Sequence, residues 1–211
     1  MSRTQLLQLA TNLVNTHGFT RKALAESVLS LPPGQAHPEP LSDTAVSALF
    51  GIGDDARRTL IHAWLDQGVR HMGTVPSPTL KSVLHARLRY NEPMLQHLPE
   101  AFALLASPNS GVSLLDPIPI LKHSSRIADE SCYISGDTSV QFSWYVRRAS
   151  IAGIYGASEL HQLTSPSTAY SFLDNLFDTA NNFGTSLEEL GLFSSYVFKS
   201  WKGIFKSKGI V

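Results

Sequence analysis

The 211-residue sequence has 43% hydrophobic residues and 17 basic against 17 acidic side chains. That length and apolar content suit one domain, or one domain with an appendage, built around a sizeable core. Balanced charge gives no global electrostatic case for nucleic acid, the single cysteine, Cys132, excludes an intrachain disulfide and fits a reducing compartment, and no apolar run approaches the ~18 residues a bilayer span needs.

In chain order the apolar residues recur at helical spacing, and no strand pattern emerges. The opening MSRTQLLQLATNLV has no separate hydrophobic signal segment and reads as a domain helix with Leu6, Leu9, Leu13 and Val14 on one face, stopping near His17-Gly18. Thr20 is placed to cap a second helix running to about Leu29. The proline-rich LPPGQAHPEPL at 31–41 forbids a continuous helix. Ser42 or Asp43 caps a short third helix, and a longer one follows from about Asp54 to His71 with Leu60, Ile61, Trp64, Leu65 and Val69 inward. After Val75-Pro76-Ser77-Pro78, helices are expected at about 78–90, 92–106, 117–134, 140–163 and 167–182. Pro93 and Pro99 should restrict or bend the second of these. The small residues Ala149, Ala152, Gly153, Gly156 and Ala157 permit close helix packing along the stretch 140–163.

This pattern predicts an all-α protein. The first three helices suggest a helix-turn-helix arrangement like that of TetR-type repressors, so the expected organisation is a helix-turn-helix-like subdomain at 1–75, a helical domain at 76–183 and a terminal amphipathic helix at 184–211. DNA binding is not expected of the first part. A reading helix needs Arg, Lys, Asn or Gln toward bases and phosphates, yet DTAVSALFG carries no basic residue, and residues 1–72 hold six basic against six acidic side chains.

No catalytic constellation is legible. The eight histidines fall into no ligand motif: there is no HExxH, no CxxC and no Glu-x-x-His, and Glu159-Leu160-His161 has the wrong spacing. GxSxG and phosphate-cradling glycine loops are absent. Cys132 lies among acidic neighbours that raise a thiol pKa, and reads as a small buried hydrophobe. No enzyme activity, metal or cofactor is therefore expected.

The strongest local signal is SLEELGLFSSYVFKSWKGIFKSKGIV at the carboxyl end. At 100° per residue, Leu190, Val197 and Trp201 share one face, Phe193 and Ile204 flank them on one side, and Leu187, Phe198 and Phe205 on the other. Lys199, Lys202 and Lys206 gather on the polar side, giving a basic amphipathic helix with aromatic anchors. Each large side chain contributes ~1.5–3 kcal/mol when fully buried, and each lysine near an anionic leaflet ~1 kcal/mol. These residues are expected to bind lipid or an anionic membrane surface.

Two stretches carry a resemblance: RLRYNEPMLQHLPEAFALLASPNS at 87–110, and SGDTS followed by QFSWYVRRASIAGIYGASEL at 135–160. With THGFTRKALAES near the start, they resemble the lipid-binding accessory family of ubiquinone biosynthesis that is numbered nine in the coenzyme Q series. The resemblance implies a TetR-like helical fold, a homodimer without catalysis of its own, and an apolar cavity for isoprenoid lipids. It also implies a peripheral location on the matrix side of the mitochondrial inner membrane, reached with a transit peptide this sequence lacks. There the protein would present quinone intermediates to the di-iron demethoxyubiquinone hydroxylase of the biosynthetic complex. It further implies that Trp144 and Tyr145 meet that hydroxylase, while internal ion pairs are the expected role of Arg147 and Arg148. Where the family carries an acidic residue just before the motif's Phe, this chain has Gln141. The competing readings are a TetR-like regulator with a hydrophobic ligand pocket and a lipid-modifying enzyme with an unrecognised site.

Overall fold

Side-chain caps set the helix starts. In the computed structural model, which describes residues 2–35, 37–107, 116–138 and 142–182, Ser2 accepts from the Gln5 amide to open α1 (Arg3–His17), and Thr20 accepts from Ala23 to open α2 (Arg21–Glu26). Ser42 rather than Asp43 caps α3 (Asp43–Phe50), leaving Asp43 in the first turn, where a carboxylate complements the helix dipole. The second helix is shorter than its periodicity suggests. The Ser27 hydroxyl donates to the Leu24 carbonyl three residues back, and the chain tightens into a 3-10 turn over Ser27–Ser30 before Pro32.

The longest element of the amino-terminal half, α4 (Asp54–Met72), carries the expected inner stripe in full. Leu60, Ile61, Trp64 and Leu65 pack with α1–α3, while Val69 and Met72, one to two turns on, pack with the later helices. One helix therefore belongs to both hydrophobic clusters. A reciprocal capping box between Thr79 and Ser82 starts α5 (Leu80–Asn91). The stretch 92–106, expected as one bent helix, divides into a 3-10 turn at Glu92–Met94 and α6 (Leu98–Ala106), with a proline in the first turn of each. Proline lacks the N–H an interior turn needs but is accommodated where that donor has no intrahelical partner.

α7 (Ile118–Ile134), α8 (Phe142–Thr164) and α9 (Ala169–Asn182) complete the described chain. Ile127, Ala128 and Cys132 of α7, Ile151, Ile154, Tyr155 and Ala157 of α8, and Leu173 and Leu176 of α9 form the second cluster with α5. The described residues are all-α, as the periodicity requires, and none of their helices is long and apolar enough to cross a membrane. The terminal segment 184–211, with Leu190, Phe193, Val197, Phe198, Lys199, Trp201, Lys202, Ile204, Phe205 and Lys206, lies outside the described residues.

Candidate functional site

The turn between α7 and α8 is built by SGD at 135–137. Gly136 takes φ 69°, a left-handed conformation that costs glycine little. The Asp137 amide then donates to the Cys132 carbonyl (2.9 Å) and the Gly136 amide to the Tyr133 carbonyl (3.2 Å), the hydrogen-bond pair of a Schellman motif. This termination delivers the Asp137 carboxylate to the start of α8. Its Oδ1 lies 3.0 Å from Arg147 Nε and its Oδ2 3.3 Å from Arg148 Nη1, while Arg148 Nε donates to Asp129 Oδ1 on α7 at 2.8 Å.

Both guanidiniums are thus paired with carboxylates of their own chain, as the sequence predicted for them. The aromatic rings are not consumed in the same way. Trp144 is 36% exposed and Tyr145 69%, with their centroids 4.7 Å apart in a T-shaped arrangement. The Arg148 guanidinium lies 3.9 Å from the Trp144 ring centroid, at cation–π range. It acts as a brace: two carboxylates hold the arginine, and the arginine holds the indole. Tyr133, on the last turn of α7, is 81% exposed. Tyr133 was not singled out by sequence, because an aromatic beside Cys132 at helical spacing reads equally well as core. A rigid, charge-balanced surface with aromatic rings outward suits protein docking, where Trp and Tyr are enriched among dominant contacts.

A second constellation, unforeseen from sequence, is buried where the two apolar clusters meet. Arg87 on α5 is 0% exposed and Glu159 on α8 only 2%. Glu159 Oε1 accepts from Tyr155 (2.6 Å) and from Asn91 Nδ2 (3.0 Å), and its Oε2 lies 3.3 Å from His123 Nε2 on α7. Asn91 Nδ2 also donates to Gln162, and Gln162 to the Leu88 carbonyl. Arg87 donates through Nη1 to Asn91 and stands 3.9 Å from Glu159 Oε1 through Nη2. Its Nε and Nη2 make no hydrogen bond among the described residues, and the guanidinium instead lies against the Trp64–Tyr90 ring pair, 5.6 and 5.5 Å from the two centroids.

Burial alone would push the Glu159 carboxyl up, but the charge and hydrogen bond of His123, the Arg87 charge and the Tyr155 hydroxyl hold it down at about 2. Burial pushes the Tyr155 hydroxyl well up, so it stays a donor. Gly68 makes the arrangement possible: a Cβ there would stand 2.9 Å from the Arg87 guanidinium carbon and 2.9 Å from the Tyr90 ring. Every acceptor capacity here is turned inward, so the geometry joins α5, α7 and α8 rather than presenting a reactive group.

The remaining sequence expectations are placed as follows. Cys132 is buried and its thiol is pushed up, chiefly by burial. Among the described residues no group of three His, Cys, Asp or Glu side chains is arranged to hold a metal ion. On α3, Asp43 is engaged by Arg21, whose guanidinium also reaches Ser47 and the carbonyls of Gly51 and Gly53, and α3 itself carries a carboxylate and no cation.

Comparison with known proteins places the outward aromatics in a matched region. The COQ9 family model matches residues 119–184, which contain most of α7 and all of α8 and α9. The chain is similar to COQ9 proteins there. It is 28% identical over 195 residues to the mitochondrial ubiquinone biosynthesis protein COQ9 of Bos taurus, covering 88% of this chain and 59% of that protein. It is 29% identical over 146 residues to the coq9 protein of Schizosaccharomyces pombe (66% of this chain, 56% of that one), and 35% identical over 109 residues to COQ9 of Drosophila melanogaster (50% and 32%). The chain spans about three-fifths of the length of such vertebrate COQ9 proteins, 59% of the bovine and 61% of the rat one.

Proposed function

We propose that this protein is a non-enzymatic lipid-binding accessory factor of ubiquinone biosynthesis. It takes polyprenyl quinone intermediates from the mitochondrial inner membrane and presents them to the di-iron demethoxyubiquinone hydroxylase. The observation that carries the reading is the match to COQ9 proteins over α7–α9, the helices that hold Trp144 and Tyr145 outward on an arginine brace. The pathway and the mitochondrial location are those named for the relatives. The division into a helix-turn-helix-like part, a lipid-binding part and a terminal membrane-associating helix belongs to the same proposal, as do the TetR-like arrangement and the homodimer.

The work divides between two surfaces. The basic amphipathic segment from Leu190 to Lys206 attaches the protein reversibly to an anionic leaflet, its apolar face supplying most of the energy. Trp144 and Tyr145 dock the loaded carrier on the enzyme, placing the lipid headgroup near the hydroxylase's metal centre.

Native mass spectrometry of the purified protein, with lipid extraction in parallel, tests the function. A stoichiometric isoprenoid is expected; a bound nucleotide or the absence of any lipid overturns the assignment. Truncation before Thr185 is expected to abolish co-sedimentation with vesicles containing anionic lipid while leaving the thermal midpoint close to that of the full chain. Undiminished sedimentation of the truncated protein would remove the membrane-anchor role.

A further inference from the structure

We propose that a groove between α1 and α4 is a docking site for an extended acidic segment of a partner protein. The groove has a volume of about 380 Å³, within the range of built ligand sites. Its ends are cationic. Arg3 is tied by its Nε to the Leu49 carbonyl (2.6 Å), and Thr59 reaches the neighbouring Phe50 carbonyl, so Arg3 and Thr59 mark one end. Arg70 lines the other, eleven residues further along α4, about 16 Å at the helical rise.

Arg3, Arg70 and Arg89 are exposed arginines without an ion pair among the described residues, and of these Arg3 and Arg70 line the groove. Arg21, Arg57, Arg58, Arg126, Arg147 and Arg148 each meet a carboxylate. The one acid lining the groove, Asp66, is already paired with Arg126 of α7. In a chain of zero formal net charge, the groove is therefore locally positive.

The lining between the arginines selects the class of ligand. Gln8 and Gln67 each offer both a donor and an acceptor, while the hydroxyls of Thr11 and Thr59 already donate to the Gln8 and Phe50 carbonyls and offer acceptors only. Burial lowers the pKa of His62, so its ring is neutral near pH 7 and, like the glutamines, offers both. An isolated phosphate is an acceptor only and would leave those acceptors unanswered. A peptide main chain alternates donors and acceptors. At ~3.3 Å per residue, about five extended residues cover the distance between the two arginines, with acidic side chains near both ends.

The test is a titration of the 15N-labelled full chain, followed by amide chemical shifts, with the capped peptide acetyl-Asp-Ser-Gly-Ser-Glu-amide. Parallel titrations use its lysine counterpart acetyl-Lys-Ser-Gly-Ser-Lys-amide, sodium phosphate, and phosphatidylglycerol–phosphatidylcholine vesicles. Shifts confined to α1 and α4 with the acidic peptide alone are expected. Arg70→Glu, a change at an exposed residue without an ion pair among the described residues, is expected to weaken that binding about fivefold or more and to create binding of the lysine peptide, with a thermal midpoint lowered by no more than a few degrees, the effect of a carboxylate in the last turn of α4. Equal affinity of Arg70→Glu and parent, shifts scattered over the surface, or the same shifts from phosphate or vesicles alone would overturn the proposal.

Discussion

Glu159→Gln is expected to destabilise the protein by about 3–5 kcal/mol, the cost of leaving a buried charge without its counterion. For a chain of this size that is a fall of roughly 6–20 °C in the thermal midpoint. The substitution keeps the shape of the side chain, removes its charge and turns one acceptor oxygen into an amide donor, so lost packing is not the cause. What remains is an Arg87 guanidinium with 0% exposure, facing Trp64 and Tyr90 and deprived of the carboxylate 3.9 Å away. Pairing the change with Arg87→Met removes both charges and places an apolar chain against the rings. The double variant is expected to recover most of the loss, because a buried ion pair replaced by hydrophobic groups is often close to neutral. If the double variant is as unstable as the single one, the charge argument fails.

The same carboxylate sets an acid limb. Its folded pKa, about 2, lies below the ordinary value of 4.5, so its contribution is fully present above pH 4.5 and is lost as pH falls toward 2. The difference corresponds to on the order of 3 kcal/mol. Urea midpoints measured from pH 6 to pH 2.5 should fall more steeply for the parent than for Glu159→Gln. Parallel curves would show that Glu159 does not carry the limb.

Helix positions were legible because they rest on local chemistry. Thr20 and Ser42 could be named as caps from their place before apolar periodic runs, and both accept the expected amide. The stripe of α4 was legible for the same reason, since its inward residues follow the 3.6-residue period. Helix continuity was less so: whether Pro93 and Pro99 bend one helix or begin two short elements depends on where the 92–106 stretch packs, and Leu98, Phe102 and Leu105 join the amino-terminal cluster rather than continuing α5.

The buried polar centre was hidden by its own regularity. Arg87 and Asn91 are four residues apart, and Tyr155, Glu159 and Gln162 recur at four and three, so they lie on core-facing positions of α5 and α8 as apolar residues would. A pattern reading that follows only apolar residues passes over them. Charged residues on a core face were the available sign, but the pairing of Glu159 with His123, 36 positions away, exists only once three helices have packed. The proposed docking surface was legible in part. Adjacent Trp144, Tyr145, Arg147 and Arg148 could be seen in the text of the sequence. The division of labour among them depended on Asp137, whose reach is set by the left-handed Gly136.

That division makes the second prediction a clean one. Replacing Trp144 and Tyr145 together by alanine is expected to weaken association with the hydroxylase by at least about 30-fold, since dominant interface residues each cost about 2 kcal/mol or more on truncation. The thermal midpoint and the amount of co-purifying isoprenoid are expected to stay at parent values, because Arg148 keeps Asp129 and Asp137 when the indole is gone and neither aromatic residue is among the buried core. Isothermal titration against the purified enzyme, alongside native mass spectrometry of the same preparation, reads both quantities. Arg148→Ala is the informative contrast. It frees the indole and unpairs Asp129, leaving the aromatic contact area present but unbraced, so affinity should fall by less than in the double alanine variant. Full affinity in the double alanine variant would assign docking to another surface, and loss of lipid together with affinity would show that the two rings support the carrier's interior rather than its face.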